Sequence, residues 1–261
     1  YLKGQAVAAR NKKFIKRERV EIMSEEMIMG KNPVIEALSS GRSVNKVFAS
    51  EHLNANTLKK LQQAAREAGT IVQKVPKTKL DSMSDGNHQG IIAYVASYQY
   101  GSLDQIFAMA EKKGEDPFII ILDELEDPHN LGSILRSADA TGVHGVIIPK
   151  RRSVGLTATV AKTAAGAIEH VPVVRVTNIA NTIDELKERN VWVAGTAGEA
   201  KEDYRSIDGK MPIAIVIGNE GKGMSPLLKK EVDELLTIPM TGHVQSLNAG
   251  VAAGLLMYEV F

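Results

Sequence analysis

The chain has 261 residues, 44% of them hydrophobic, enough to bury at least one substantial core and long enough to favour two domains over one. The formal charge is +1 and cysteine is absent, which excludes disulfides, thiolate metal sites and cysteine nucleophiles, including cysteine-dependent methylation of pyrimidine carbons. No apolar run reaches the roughly 18 residues of a membrane span and no signal-peptide pattern opens the chain, so the cytoplasm is the expected location.

Residues 1–25 are expected to form a flexible basic arm, and the start at Tyr1 in place of methionine is read as processed or non-native. Its first twenty residues carry seven bases (Lys3, Arg10, Lys12, Lys13, Lys16, Arg17 and Arg19) against one acid, Glu18, so the rest of the chain sits near −5. Such an arm either binds phosphates by counterion release or is a solvated tail; composition leaves both open. Residues 26–98 read as a small α/β unit, with Pro33 near a helix start, a strand over Lys46 to Ala49, a helix over Leu58 to Ala68 and a strand over Ile91 to Ser97. Residues 99–116, with Gly101, an amphipathic stretch around Leu103 to Ala110 and a charged turn from Lys112 to Asp116, suit a linker helix.

Over residues 117–261 short apolar runs alternate with helical patterns. Phe118 to Leu122 precedes a helix from Leu131, and Gly145 to Ile148 precedes one near Thr157 to Ala167. Val171 to Val174 then leads to a helix over Ile179 to Arg189. Val191 to Ala194, Ile213 to Ile217, Leu235 to Ile238 and a last helix from about Leu247 complete the series. The alternation predicts a mostly parallel sheet with helices on both faces, and such sheets bind ligands beyond the carboxyl ends of their strands.

Three loops concentrate glycine, proline and polar residues at such ends. The first runs from Asp123 to Asp139: Pro128 stiffens the turn, Asn130 is placed as the helix cap, and Arg136 follows within two turns. Arg136 there either grips a phosphate in a bidentate way or pairs with Asp139 or another acid. The second, Ile217-Gly218-Asn219-Glu220-Gly221-Lys222-Gly223-Met224-Ser225-Pro226, allows close backbone approach to a small molecule. Met224 occupies the lysine position of a nucleotide P-loop and Pro226 the third glycine of a dinucleotide fingerprint, which leaves a non-phosphate ligand or a tight turn. The third, from Ile238 to Gly254, places Ser246 and Asn248 before a helix rich in Ala and Gly; Ser246 is its N-cap if the role is purely structural. The histidines show no metal-ligand spacing, so no metal is expected, and no Gly-x-Ser-x-Gly elbow occurs. Trp192, the single tryptophan, lies in an apolar run and is expected in the core, and 5% aromatics argues against extensive stacking of bases.

In this order the three loops resemble the sequence motifs of the SpoU family of RNA 2′-O-methyltransferases, within the SPOUT superfamily. Asn130 and Arg136 carry the first motif, Gly218 to Gly221 the second and Ser246-Leu247-Asn248 the third. Upstream, Met29-Gly30-Lys31-Asn32-Pro33-Val34 and the following unit resemble the ribosomal-protein-like RNA-binding domain of the subgroup that modifies large-subunit ribosomal RNA, as does Val146 to Ser153. The resemblance implies a SPOUT α/β-knot fold with a trefoil knot, a homodimer, and S-adenosylmethionine-dependent 2′-O-methylation of a guanosine in large-subunit (23S) ribosomal RNA, with no membrane and no metal involved. It implies that Thr196, Gly218, Ile238, Met240 and Leu247 hold the methyl donor. It further implies that Asn130, Arg136, Glu220, Ser246 and Asn248 carry catalysis, with Glu220 and Asn248 holding Arg136 in place. Ala249 and Gly250 depart from many relatives, which bears on local helix packing. The alternatives are methylation of transfer RNA or another ribosomal site, a ribosome-assembly factor that binds RNA without turnover, and a phosphate-binding sheet protein of unrelated function.

Overall fold

The computed structural model describes residues 26–261 except Gly41, Ser97, Glu220 and Gln245; the basic arm and Glu220 therefore lie outside the described residues. Two compact units result, residues 26–99 with Gly155–Thr159, and Tyr100–Val154 with Val160–Phe261.

The first unit contains β1 (Glu26–Met29), α1 (Lys31–Ser39), β2 (Val44–Ser50), α2 (Ala55–Glu67), β3 (Val72–Val75), α3 (Lys77–Met83) and β4 (Ile91–Val95), with sheet order β1-β4-β2-β3. Strand alternation puts successive β4 side chains on opposite faces. Ile91 and Ala93 pack with Val34, Leu38 and Leu61 of the helices, while Ile92 and Tyr94 pack with Phe48, Val75 and Leu80. Sequence patterning missed β1, β3 and α3, each only four to seven residues long. Elements that short carry too few repeats to show a period.

In the second unit α4 (Leu103–Lys113) precedes β5 (Phe118–Leu122), α5 (Pro128–Ala140), β6 (Gly145–Pro149), α6 (Ala158–Ala164), β7 (Val173–Val176) and α7 (Ile179–Glu188). Then come β8 (Trp192–Thr196), β9 (Glu202–Asp203), β10 (Ile213–Ile217), α8 (Pro226–Glu231), β11 (Glu234–Thr237) and α9 (Ala249–Val260). The seven strands run β7-β6-β5-β10-β8-β11-β9, and every pairing is parallel. Central β5 and β10, Phe-Ile-Ile-Ile-Leu and Ile-Ala-Ile-Val-Ile, are buried at every position, as strands covered on both faces must be. Ile106 of α4, Ile183 and Leu186 of α7 and Leu228 of α8 share one apolar cluster with Ile119, Ile121, Ala214 and Val216; α5 and α9 pack together and touch β6 and β10.

The stretch expected as a linker is thus part of this unit: Ser102 and Gln105 make a capping box, Gly114 ends α4 in the left-handed region, and Ile106 and Ala110 are buried. Trp192 is also not where its apolar neighbours suggested. It is 41% exposed, because β11 joins β8 only from Ala194 onward and leaves the first residue of β8 without a neighbour on that side.

Candidate active site

Adjacent strands β5 and β10 are followed by helices on different sides of the sheet, α5 packing with α9 and α8 with the α4 and α7 cluster. That divergence opens a crevice at the carboxyl edge, where ligands bind in such folds. Three loops converge there. Asp123 extends the sheet, its N–H donating to Ile217 O at 2.8 Å, and its buried carboxylate accepts the Ser225 N–H at 2.9 Å. Burial raises this carboxyl's pKa; the Ser225 hydrogen bond opposes the shift and neighbouring Glu124 adds to it. Glu124 has a φ of 57°, a left-handed conformation that costs about 1–3 kcal/mol and persists only where surroundings impose it. Here they do: Asn219 Nδ2 donates to Glu124 O at 2.9 Å, and Arg152 Nη1 pairs with Glu124 Oε1 at 2.6 Å.

Asn219 also organises its own loop. Its Oδ1 accepts the N–H groups of Gly221 (2.9 Å) and Lys222 (3.2 Å), and its backbone exchanges two hydrogen bonds with Gly223 at 3.1 and 2.8 Å. Gly218 must be glycine, since a Cβ there would lie 2.3 Å from Met224 N. The third loop is tied to the first by Asn248, whose Nδ2 donates to Asn130 Oδ1 at 2.9 Å while its Oδ1 caps α9 by accepting from Gly250 N (3.0 Å) and Val251 N (3.2 Å).

A three-loop crevice of this construction, beyond a parallel sheet, has counterparts of known family. The SpoU rRNA Methylase family matches residues 117–258, and the family described as RNA 2′-O ribose methyltransferase substrate binding matches residues 27–101. The chain belongs to the SpoU rRNA methylase family. YacO of Bacillus subtilis, whose name assigns it to the TrmH family tRNA/rRNA methyltransferases, is 56% identical over 90% of this chain and 95% of its own. The SpoU methyltransferase AviRb from Streptomyces viridochromogenes, crystallised in complex with the cofactor AdoMet, is 26% identical with a TM-score of 0.57, covering 91% of this chain and 90% of its own. The A. aeolicus TrmH/SpoU tRNA modifying enzyme, 27% identical with a TM-score of 0.51, covers 60% of this chain and 81% of its own.

Within this SpoU chain the residues singled out from sequence fall into two groups. Asn130, Asn248 and Gly218 stand in the crevice as described, with two changes of role. Asn130 is the third residue of α5, not its cap: Asp127 caps the helix, accepting His129 N–H at 2.8 Å, because Pro128 occupies the first helical position. Asn248, not Ser246, caps α9. Arg136 is exposed on α5 and makes no ion pair with Asp139 among the described residues; Asn248 reaches Asn130 and not Arg136. Glu220 lies outside the described residues. Ser246 is exposed just before α9. Gly250 faces α5: a Cβ there would lie 3.2 Å from Ser133 Oγ, so the small residue serves helix contact.

The expected donor-binding residues lie at the neighbouring strand ends. Val216 pairs with Gly195, and Leu236 with Thr196, so the ends of β10, β8 and β11 are level. Thr196 Oγ1 donates to Val216 O at 3.2 Å. Gly218 and Ile238 each lie just beyond their strands; Ile238 and Leu247 are half-buried, and Met240 is 38% exposed. Met240 to Val244 are exposed, and their backbone groups make no hydrogen bond among the described residues. Sequence reading gave no role to Asp123, Glu124, Arg152 and Ser225; an acid ending an otherwise wholly apolar strand was the available signal for Asp123. Among the described residues no group of His, Asp and Glu is arranged to hold a metal, and no helix is long and apolar enough to cross a membrane.

Proposed function

We propose that this protein transfers a methyl group from S-adenosylmethionine to the ribose 2′-hydroxyl of a guanosine in large-subunit ribosomal RNA, in the cytoplasm. The observation that carries the reading is the pair of asparagine ties, Asn219 to Glu124 and Asn248 to Asn130, which join three loops into one crevice at the sheet's carboxyl edge. The 2′-O-ribose specificity is supported by the family matched over residues 27–101, and the cofactor by the AdoMet complex of AviRb.

S-adenosylmethionine fits the strand-end wall: adenine calls for backbone hydrogen bonds within an apolar slot, and the backbone of Met240 to Val244, without a hydrogen bond among the described residues, together with Ile238, Leu247, Thr196 and Gly218 at the strand ends, offers both. When bound, it supplies an electrophilic methyl group. The chain's own residues then orient the ribose. Arg136, exposed and without an ion pair among the described residues, clamps a phosphate of the substrate and orients the 2′-hydroxyl; a guanidinium stays protonated, so the hydroxyl's proton passes to a phosphate oxygen or to water. Asn130 and Asn248 hold the crevice wall, Ser246 contacts donor or ribose, and Glu220 supports Arg136.

A ribosomal address is supported by the SpoU rRNA Methylase family matching residues 117–258, while the tRNA modifying enzyme covers 60% of the chain. Transfer RNA is the second reading, favoured by the tRNA/rRNA description of YacO. Homodimerisation and a knotted C-terminal segment complete the proposal. The first is supported by Val251, Leu255 and Tyr258, which are 53%, 39% and 59% exposed at helical spacing on α9. The second is supported by the later strand β10 lying between β5 and β8.

The test is transfer of labelled methyl from S-adenosylmethionine to transcribed large-subunit ribosomal RNA and, separately, transfer RNA. Label in alkali-resistant dinucleotides of the ribosomal transcript supports the reading; such label only in transfer RNA moves the address, and none in either favours the non-catalytic assembly factor.

A further inference from the structure

The carboxyl edge carries a second feature at the end of β6, the neighbour of β5 on the side away from β10. β6 ends in Pro149, and the next residues are Lys150, Arg151 and Arg152; Lys150 N donates to Val176 O at 2.9 Å, which holds the turn level with the end of β7. Ile148 pairs with Arg175 across β6 and β7, so continuing the alternation by two residues puts Lys150 on the same face as Arg175. Tyr100 backs the Arg175 guanidinium, 4.7 Å from its ring centroid. Lys150 is half-buried and Arg151 exposed, and neither has an ion pair among the described residues. Burial, then the charge of Arg175, lowers the Lys150 pKa, so this ammonium is held where its charge is poorly compensated. In the adjoining first loop Glu124 is engaged by Arg152, Asp123 by the Ser225 N–H and Asp127 by the His129 N–H.

Two tethers fix the basic turn to the crevice. Arg152 pairs with Glu124, and Val154 N donates to Leu125 O at 2.9 Å. Strands lie about 4.8 Å apart, so the turn at the end of β6 stands about 10 Å from the loop after β10. A cationic site held at that fixed distance from the crevice suits a repeating polyanion, with one phosphate seated here while a neighbouring ribose enters between Asn130 and Asn219.

We propose that Lys150, Arg151 and Arg175 form a phosphodiester-binding site that holds the substrate RNA strand flanking the target ribose. This rests on the proposed RNA methyltransferase reading. The site sets strand register and affinity and takes no part in the transfer itself, so these are positioning residues.

The experiment measures binding of the full chain to transcribed large-subunit ribosomal RNA across a salt series, alongside S-adenosylmethionine binding by calorimetry and methyl transfer kinetics. Lys150→Gln/Arg151→Gln is compared with wild type and with Lys201→Gln/Lys210→Gln, an equal charge loss near β9 at the other edge of the sheet. Each lost phosphate contact lowers the slope of log affinity against log salt by about 0.7–0.9, so the double variant is expected to lose about 1.5 in slope. KM for RNA rises, kcat at saturating RNA and S-adenosylmethionine affinity stay at wild-type values, and the Lys201/Lys210 control keeps the wild-type slope. An unchanged slope in the double variant, or an equal loss in the control, overturns the inference. Should the double variant fold poorly, Arg151→Gln alone, at an exposed position, is expected to lose about half as much slope, and no loss there overturns the inference equally. Wild-type protein that binds no S-adenosylmethionine would contradict the methyltransferase reading instead, whatever the salt slopes show.

Discussion

Replacing Asn219 by alanine removes one side chain that makes three hydrogen bonds: acceptance from Gly221 N and Lys222 N, and donation to Glu124 O. A net hydrogen bond contributes about 0.5–1.5 kcal/mol, and Asn219 is only half-buried, so the loss should total about 2–3 kcal/mol. The same change releases Glu124 from its left-handed conformation, returning part of the strain and moving the first loop away from the second. The glycine loop after β10 and the loop leading to α5 are therefore expected to loosen together. Urea unfolding should show the stability loss, and calorimetry should show S-adenosylmethionine affinity falling by about tenfold or more, since 1.4 kcal/mol is a factor of ten. Asn219→Asp keeps the acceptor but turns the donor into a carboxylate against Glu124 O, so it should hold the glycine loop and still lose the tie to the first loop. An Asn219→Ala variant within about 0.5 kcal/mol of wild type, with affinity within about twofold, would show that the two loops are not coupled through this side chain.

Other consequences follow from the same geometry. Gly218→Ala sets a Cβ against backbone, 2.3 Å from Met224 N, and should cost about 1–3 kcal/mol in urea unfolding while weakening S-adenosylmethionine binding in calorimetry. Because burial raises the Asp123 pKa, the group's favourable contribution is complete below its unfolded pKa of about 4 and is lost as pH rises through the folded value. Asp123→Asn, which retains an acceptor for Ser225 N–H, should therefore gain stability relative to wild type at about pH 7 and not at about pH 3.5, read from denaturation midpoints. His144 has the opposite sign: burial lowers its pKa, its Nδ1 accepts Phe118 N–H at 3.0 Å and its Nε2 meets Glu115 at 3.0 Å. Its contribution is present above about pH 6.5 and declines as pH falls below that, so His144→Gln should flatten the stability profile between about pH 5 and 7. Arg136→Ala should leave unfolding within about 0.5 kcal/mol, as an exposed residue without an ion pair among the described residues, yet slow methyl transfer by about a hundredfold; full turnover in Arg136→Lys would contradict the bidentate clamp.

The long apolar runs were legible because burial on both faces leaves an unbroken hydrophobic signal, as in Phe118 to Leu122 and Ile213 to Ile217. The crevice loops were legible as places, through glycine at 218 and 223 and the polar residues before α9. Their wiring was not. Nothing in local sequence states that Asn219 reaches Glu124, 95 positions away, or that Asn248 reaches Asn130, 118 positions away. The cap of α5 was recoverable, since Pro128 at the first helical position points to Asp127 and not Asn130. Trp192 was not, because its exposure depends on where β11 begins to pair with β8, a register that residue type does not encode.

Ribose methylation of large-subunit ribosomal RNA is best tested in cells, by mass-spectrometric mapping of 2′-O-methyl groups in a strain lacking this protein, complemented with wild type or Arg136→Ala. One ribose methyl on a guanosine should disappear with the protein and return with wild type only. A map identical with and without the protein would contradict the proposed reaction at that address.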